Sequence, residues 1–202
     1  MINMNKQVLL ITFSIVAIGI SAFTSNDKKS TLSVNLDESK VVWLGKKVTG
    51  EHTGFINIAY GDLEFEGDKL TGGSFEIDMN SLTNTDIENE EFNQKLVGHL
   101  KSADFFSVEK FPKSTFNIQE VTQKSPTKYL VKGEITIKGI TRAIEFPVQV
   151  TLVDGKASAT ANITIDRSEF DVKYGSGSFF EDLGDKMIYD DFTLNVTLVA
   201  NK

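Results

Sequence analysis

Apolar and polar residues alternate one by one along most of this chain. In the segment KYLVKGEITIKG, Tyr129 and Val131 fall on one side, whereas Lys132 and Glu134 fall on the other. The same period of two returns in AIEFPVQVTLVDG and DFTLNVTLVA. Because successive side chains of a β-strand point to opposite faces, this pattern predicts strands that bury one face.

Turn sequences such as GDK, KSPTK and DGK separate the alternating segments. Between the turns the sequence predicts eight strands, at 39–48, 52–66, 69–79, 114–123, 128–139, 142–153, 156–167 and 187–200. The short turns predict antiparallel neighbours, and closure into a barrel would leave no exposed edge. We therefore predict an all-β, eight-stranded antiparallel barrel, with a two-sheet sandwich as the alternative. Pro147 lies on a polar strand face, where we expect an edge-like or bulged position because proline has no N–H to donate.

One segment between the predicted strands has helical periodicity instead. In TDIENEEFNQKLVGHL, Phe92, Leu96 and Leu100 recur at a spacing of four. This spacing predicts one amphipathic helix packed on the barrel, across one of its mouths. Thr85 and Glu88 have the spacing of a capping box, which would start the helix there.

The segment HLKSADFFSVEKFP, residues 99–112, follows the predicted helix and combines turn-forming residues with three phenylalanines. We expect this segment to close or line one end of the barrel. At least one of the adjacent rings of Phe105 and Phe106 should be buried against the interior.

The N-terminus has the organisation of a secretory signal peptide. Lys6 is the only charge before residue 23, the run 8–20 is apolar, and small residues follow it. The apolar run is short against the roughly 20 residues that a membrane-spanning helix needs, so an uncleaved anchor is the weaker alternative. We expect a cleaved signal peptide over 1–22, a flexible leader over 23–30, a barrel domain over 31–202, and a periplasmic or secreted location.

Composition narrows the classes of partner and of chemistry. The chain has no cysteine, which excludes disulfides, thiolate metal sites and cysteine catalysis. Its formal net charge is −7 and its basic residues are dispersed, whereas nucleic-acid binding needs a basic surface. An anionic membrane would repel such a protein. We expect a neutral or apolar partner, no nucleic acid and no stable membrane insertion.

The chain carries few groups suited to catalysis. His52 and His99 are its two histidines, and they lack the spacing of a metal motif, which usually needs three ligands. The sequence also lacks a nucleophile elbow, a phosphate-binding loop and a recognisable pair of facing carboxylates. We therefore predict no catalytic residue, no metal site and no cofactor.

Small residues recur on predicted inward faces, at Ala157, Ala159, Ala161, Gly133 and Gly139. An eight-stranded barrel either fills with side chains or holds one small ligand. These positions therefore either leave a cavity or are filled by some of the 15 phenylalanines, and the sequence leaves both interpretations open.

Three segments in a fixed order carry a resemblance to a known family: HLKSADFFSVEKFP, ITIKGITRAIEFPVQV and ITIDRSEFDVKY. They resemble the YceI-like family of lipocalin-like exported proteins, which bind polyisoprenoid and other long apolar lipids. The resemblance extends over about 32–200. It implies a lipocalin-like barrel with a helix packed against it, and an apolar tunnel that holds a polyprenyl or quinone-like chain.

Two features depart from the family pattern. Ala143 stands where the family commonly has proline after Thr-Arg. The segment 171–187 is long and carries Phe179 and Phe180 at a predicted barrel rim, which leaves the exact lipid open.

The alternation and the resemblance together predict ten tunnel-lining residues, each apolar and either inward-facing or in the first motif: Phe75, Ile77, Phe105, Phe106, Phe116, Tyr129, Val131, Phe146, Ala159 and Phe192. Arg142, Asp166 and Arg167 are candidates for contact with a lipid head group, or alternatively for strand-end ion pairs. The predicted function is an exported carrier that sequesters such a lipid. The alternatives are an enzyme acting on the lipid with His99 as base, and a ligand-free stress or structural barrel. The oligomeric state, including a homodimer, stays open.

Overall fold

The computed structural model describes residues 28–202, so the predicted signal peptide and residues 23–27 of the predicted leader lie outside the described residues. Within this range the strands are β1 (Lys29–Val34), β2 (Lys40–Lys47), β3 (Gly50–Glu66), β4 (Lys69–Asp78), β5 (Lys113–Gln123), β6 (Lys128–Ile137), β7 (Ile140–Val153), β8 (Lys156–Asp166) and β9 (Ile188–Asn201). One α-helix, α1, spans Glu90–Lys101, and short 3-10 helices span Met79–Ser81, Arg167–Phe170 and Gly184–Lys186. None of the helices in residues 28–202 has the length and apolar character needed to cross a membrane.

The strands form one closed antiparallel barrel. The order in the sheet is β1-β3-β2-β9-β8-β7-β6-β5-β4, and pairing between β3 and β4 closes it. The ring has eight strand positions, because β1 and β2 occupy one position end to end. β2 pairs with the first half of β3 and with β9, whereas β1 pairs with the second half of β3 and with the last residues of β9. The predicted eight-stranded barrel with one helix is confirmed, and the sandwich alternative is wrong.

Strand β1 is missing from the strands that the sequence predicts. Lys29 and Ser30, which fall inside the predicted leader, pair with Glu66 and Phe65 of β3. Leu32 and Val34 are buried, while the residues between and before them are more exposed. Two apolar residues are too few to reveal a period of two, so pairing with β3 rather than local pattern defines this strand.

Helix α1 begins later than predicted because Asn89 rather than Thr85 caps it. The Asn89 side chain accepts a hydrogen bond from the Phe92 amide at 3.1 Å. Thr85 is bound to β3 instead, where its amide donates to the Thr53 carbonyl at 2.9 Å. The capping box predicted at Thr85 is therefore wrong.

The apolar stripe of α1 packs on the barrel in its second half. Leu100 is buried and Leu96 is half-buried, whereas Phe92 in the first turn is exposed. Lys95 covers one face of the Phe92 ring, with its Nζ atom 5.5 Å from the ring centroid. The helix therefore packs on the barrel through its C-terminal turns.

The two ends of the barrel differ in how they are filled. At the end that carries the β3–β4, β5–β6 and β7–β8 turns, buried side chains pack together in the core: Leu32, Val34, Phe65, Tyr129, Ala157 and Ala200. The opposite end carries α1, the segment 99–112 and the connection between β8 and β9. We call this opposite end the mouth.

Pro147 lies where the ladder between β7 and β8 stops. It pairs with Leu130 of β6, but pairing with β8 begins only at the next residue, Val148, opposite Ala161. A residue without an N–H fits this position because no partner on the β8 side requires one. The edge-like position expected for Pro147 is confirmed.

Candidate functional site

An internal cavity extends along the barrel to the mouth, and at the other end it is bounded by residues near the turns, such as Leu70 and Val150. Its volume is about 270 Å³. Every strand from β2 to β9 contributes to its wall, and so do α1 and the segment 99–112. The wall is almost entirely apolar because it is made by the inward-facing residues of the alternating strands. A concave apolar site of this kind is suited to an apolar ligand.

Nine of the ten predicted tunnel residues line this cavity: Phe75, Ile77, Phe105, Phe106, Phe116, Val131, Phe146, Ala159 and Phe192. Contact between these residues and a ligand stays a prediction. Tyr129 is buried but lies outside the cavity, in the packed end of the barrel, where its hydroxyl accepts a hydrogen bond from Gln123 Nε2 at 3.2 Å. Alternation shows that Tyr129 faces inward, but it does not show how far along the barrel axis the residue sits.

Five further residues of the cavity wall are not among the ten predicted ones: Trp43, Leu63, Met79, Leu82 and Ile188. The sequence pattern could have identified some of them. Met79 continues the inward face of Phe75 and Ile77, so the period of two marks it. Leu82 lies in the connection after β4, where no periodicity exists to reveal its buried position.

An aromatic ring occupies the space beside one inward glycine, because a Cβ atom added at Gly133 would lie 2.6 Å from Cζ of Phe116. The inward position predicted for Gly139 is wrong: this residue is exposed in the turn between β6 and β7, where its φ of 76° suits glycine. Ala159, in contrast, borders the cavity. Both interpretations of the small inward residues therefore hold, each at its own position: the Phe116 ring fills the space at Gly133, and Ala159 leaves space open.

The segment 99–112 places an aromatic cluster at the mouth. The Phe105 side chain is only 6% exposed, and its ring centroid lies 5.2 Å from that of Phe106. Phe106 in turn lies 6.3 Å from Phe192 of β9. Backbone hydrogen bonds hold the turn, including one of 2.7 Å from the Ser107 amide to the Ser102 carbonyl. The predicted burial of at least one of the two adjacent rings is confirmed.

Arg167 is buried at the mouth, where it holds the connection between β8 and β9 through hydrogen bonds. Its side chain is 2% exposed, and its guanidinium donates four hydrogen bonds of 2.8–3.2 Å to backbone carbonyl oxygens, those of Val172, Tyr174, Ile188 and Tyr189. Nη2 also lies 3.2 Å from the Asp190 carboxylate. Burial lowers the pKa of the guanidinium, while Asp190 and Asp166 raise it. Four of the five N–H groups of the guanidinium therefore donate to backbone carbonyl oxygens and its charge is paired with that of Asp190, so local structure accounts for this side chain.

The other two candidates for head-group contact lie outside the cavity. Arg142 is exposed on β7 and donates to the neighbouring Thr141 carbonyl at 3.0 Å. Asp166 ends β8 and accepts a hydrogen bond of 2.8 Å from the Ser168 amide. Both side chains are accounted for by local structure.

A histidine–aspartate pair ties β3 to the segment before α1. His52 Nδ1 lies 2.8 Å from the Asp86 carboxylate, which also accepts hydrogen bonds from the Thr53 amide at 2.7 Å and the Asn84 side chain at 2.6 Å. Burial raises the pKa of Asp86, but these hydrogen bonds lower it by a larger amount, so the pKa lies below its ordinary value of 3.8. His52 borders the cavity at the mouth.

His99 lines the cavity without the partners of a general base. Its ring packs edge-on against Tyr174, at a centroid distance of 4.4 Å, and against Phe105 at 5.8 Å. Its Nε2 atom is buried and makes no hydrogen bond. A catalytic base is normally oriented by a third group, and no carboxylate performs that task here among the described residues. Residues 28–202 likewise contain no group of three His, Asp or Glu side chains arranged to hold a metal ion.

Comparison with known sequences decides the family. A family model for the YceI-like domain matches residues 24–200. The chain belongs to the YceI-like family. A UPF0312 protein of Photorhabdus laumondii is 29% identical over 104 residues, which are 52% of this chain and 53% of that protein. The alignments thus span about half the length of the first curated relatives, or less.

Two solved structures share the barrel fold. The crystal structure of Burkholderia cenocepacia BcnA is 24% identical, with a TM-score of 0.68 over 83% of this chain and 99% of BcnA. A polyisoprenoid-binding domain of Saccharophagus degradans, implicated in plant cell wall breakdown, is 13% identical, with a TM-score of 0.60 over 84% of this chain and 97% of that domain. At these identities the structures show a common fold.

Proposed function

We propose that this YceI-like protein holds a long-chain apolar lipid, polyprenyl or quinone-like, in its barrel cavity, and that it acts as an exported carrier. The observation that carries the proposal is the apolar cavity that reaches the mouth of a closed barrel. The polyisoprenoid-binding domain of Saccharophagus degradans has the same fold and supports the choice of ligand class. Membership of a family of binding proteins favours a carrier over an enzyme.

Apolar burial provides the driving force for such binding. Each Å² of lipid surface removed from water contributes about 25 cal/mol, which is offset by the entropy lost when a flexible chain is ordered. A longer chain should therefore bind more tightly until the cavity is full. Binding of this kind needs few polar contacts, in agreement with the almost wholly apolar wall.

The proposal is tested by measuring uptake of prenyl alcohols of increasing chain length by delipidated protein. The matched variants are Ala159→Phe, which places a ring in the cavity, and Ala143→Phe, which places the same ring on the exposed face of β7. We expect affinity to rise with chain length, to fall at least roughly tenfold in Ala159→Phe, and to be unchanged in Ala143→Phe. Equal affinities in the two variants would place the lipid elsewhere, and no uptake by the wild type would favour a ligand-free structural barrel.

Export is a separate part of the proposal, and it rests on the signal-like N-terminus. The test is the intact mass of the protein recovered from the periplasm or medium of its host. Cleavage after Ala22 predicts a chain that starts at Phe23. A chain that retains residues 1–22 would contradict cleavage, and recovery in the cytoplasm alone would contradict export.

A further inference from the structure

The ladder between β7 and β8 covers only the half of these strands that lies near their turn. Pairing begins at that turn and ends at Val148 opposite Ala161. Towards the mouth, residues 140–147 of β7 pair with β6 but have no partner in β8. Residues 162–166 of β8 likewise pair with β9 alone. We call the boundary between 140–147 and 162–166 the seam.

Backbone groups of β7 point into the seam. The Val150 amide donates to the Thr127 carbonyl, on the β6 side, at 2.8 Å. Neighbouring N–H groups along a strand point to opposite edges, so those of Thr141, Ala143 and Glu145 point towards β8. Because β8 has no paired residue opposite them, a backbone ladder does not hold the seam together.

Apolar side chains close the seam instead. Ile165 of β8 and Phe170 of the 3-10 helix that follows it are buried in one cluster. Ile140 and Ile144 of β7 pack against this cluster from the other side of the seam. The two sides are therefore joined by contacts between side chains, which can part without breaking strand pairing.

Polar side chains fasten β8 mainly to β9. The Asn162 amide donates to Asn195 of β9, and the Arg167 guanidinium donates to carbonyl oxygens of β9 and of the β8–β9 connection. At the rim, a single side chain of the β6–β7 turn reaches across: Lys138 Nζ donates to the Asp171 carbonyl at 2.6 Å. The end of β8 is thus held firmly on its β9 side and more loosely on its β7 side.

A second stretch without a ladder lies between β4 and β5, at the packed end of the barrel. Pairing there stops at Ser74 opposite Asn117. The two strands are closely packed beyond this point, because a Cβ atom added at Gly73 would lie 3.3 Å from Cδ1 of Ile118. This stretch serves as a comparison for the seam.

We propose that the seam is the entry port for the lipid, whose chain slides into the cavity through the side of the barrel when the apolar side chains part. The inference rests on the proposed function and adds the route to the cavity. The cavity lies directly behind the seam, since Ile144, Phe146 and Ile163 belong to its wall. A passing hydrocarbon chain can replace apolar contacts, but it cannot replace the hydrogen bonds of a ladder. The chain therefore passes where no ladder has to break.

Entry straight through the mouth would have to break hydrogen bonds. The Ser107 amide donates to the Ser102 carbonyl at 2.7 Å within the segment 99–112. Arg167 holds the β8–β9 connection through hydrogen bonds from a buried, charged group. Hydrogen bonds of this kind are stronger than those between neutral groups, so the mouth opens less readily than the seam.

The test bridges pairs of cysteines in a chain that has no cysteine of its own. Every position is exposed: Glu145→Cys with Thr164→Cys across the seam, Gln149→Cys with Thr160→Cys in the ladder of the same strands, and Thr71→Cys with Glu120→Cys at the β4–β5 stretch. Each pair is joined by the shortest bis-maleimide that reacts with both cysteines, and intact mass confirms the bridge. Stopped-flow fluorescence of Trp43, the single tryptophan and a wall residue, then follows uptake and release of geranylgeraniol by delipidated protein.

The seam bridge should slow uptake and release by at least about tenfold each and leave the dissociation constant unchanged, because a gate alters the route but not the end states. The two control bridges should leave both rates near those of the unbridged protein. Normal rates with the seam bridge, equal slowing by all bridges, or slowing that comes with a weaker affinity each overturn the inference, while uptake itself still supports the proposed function. If the unbridged protein takes up no geranylgeraniol, the proposed function fails and the inference fails with it.

Hydrogen exchange of the ligand-free wild type gives a second measurement, which needs neither a variant nor a lipid. The amides of Ala143 and Glu145 face the seam, whereas those of Ile144 and Phe146 face the ladder with β6. After correction for intrinsic rates, the first pair should exchange at least about tenfold faster than the second. Equal protection of the two pairs would mean that hydrogen bonds span the seam, and it would overturn the inference.

Discussion

Replacement of Arg167 by methionine tests whether this residue stabilises the fold at the mouth or contacts the head group of a lipid. Methionine has a similar length but no N–H groups, so four backbone carbonyl oxygens and the Asp190 carboxylate lose their partner. Hydrogen bonds to a charged group contribute about 1.5–3 kcal/mol each, but a simple sum overstates the loss because water enters the site. Removal of one partner from a buried ion pair costs about 3–5 kcal/mol. We expect Arg167→Met to lower the free energy of unfolding by that amount.

The assay is urea unfolding of ligand-free protein, followed by fluorescence of Trp43, the single tryptophan. Arg142→Met is the matched control, because Arg142 is exposed, and it should stay within about 0.5 kcal/mol of the wild type. Hydrogen exchange of the segment 172–189 should accelerate in Arg167→Met, since the lost carbonyl contacts lie there. The reasoning is refuted if both variants unfold at the same urea concentration, or if Arg167→Met loses lipid uptake without losing stability.

Two further changes follow from contacts in β3 and before α1. Gly54→Ala should destabilise the barrel by about 1–3 kcal/mol, because the added Cβ would lie 1.9 Å from the Thr83 carbonyl oxygen. Gly98→Ala in α1 is the control: its Cβ meets nothing within 4 Å, so it should be neutral or stabilising by up to about 1 kcal/mol. Urea unfolding measures both variants, and equal changes in the free energy of unfolding would contradict the close packing at Gly54. Asp86 has a pKa in the folded state below its ordinary value of 3.8, so its contribution to stability is present above that pH and is lost as the pH falls through the lower folded value. As the pH is lowered from neutral to acidic, the free energy of unfolding should therefore fall less steeply for Asp86→Asn than for the wild type. Parallel pH profiles of the two proteins would show that Asp86 does not contribute.

Inward faces could be predicted from the sequence because the period of two is a direct consequence of strand geometry. Phe75 and Ile77 show this well: each was assigned to the interior by alternation, and each lines the cavity. The same logic marks Tyr129 as inward, yet Tyr129 lies in the packed end, since the period of two carries no information about position along the barrel axis.

The rest depends on contacts between residues distant in sequence. Thr85 and Asn89 are both good helix caps, and only the bond from Thr85 to β3 leaves Asn89 as the cap. For Arg167 the sequence left two roles open, contact with a lipid head group or a strand-end ion pair. Its actual partners are mostly backbone carbonyls, which every sequence has and which no residue pattern identifies.

The most direct test of the central claim is native mass spectrometry of the protein purified without detergent from its native host. The account predicts a reproducible adduct with the mass of one long-chain lipid, which solvent extraction identifies as a prenyl or quinone-like compound. The adduct should be absent or strongly reduced in Ala159→Phe and present in Ala143→Phe. A clean ligand-free mass for the wild type, together with failure to take up prenyl lipids afterwards, would contradict the account.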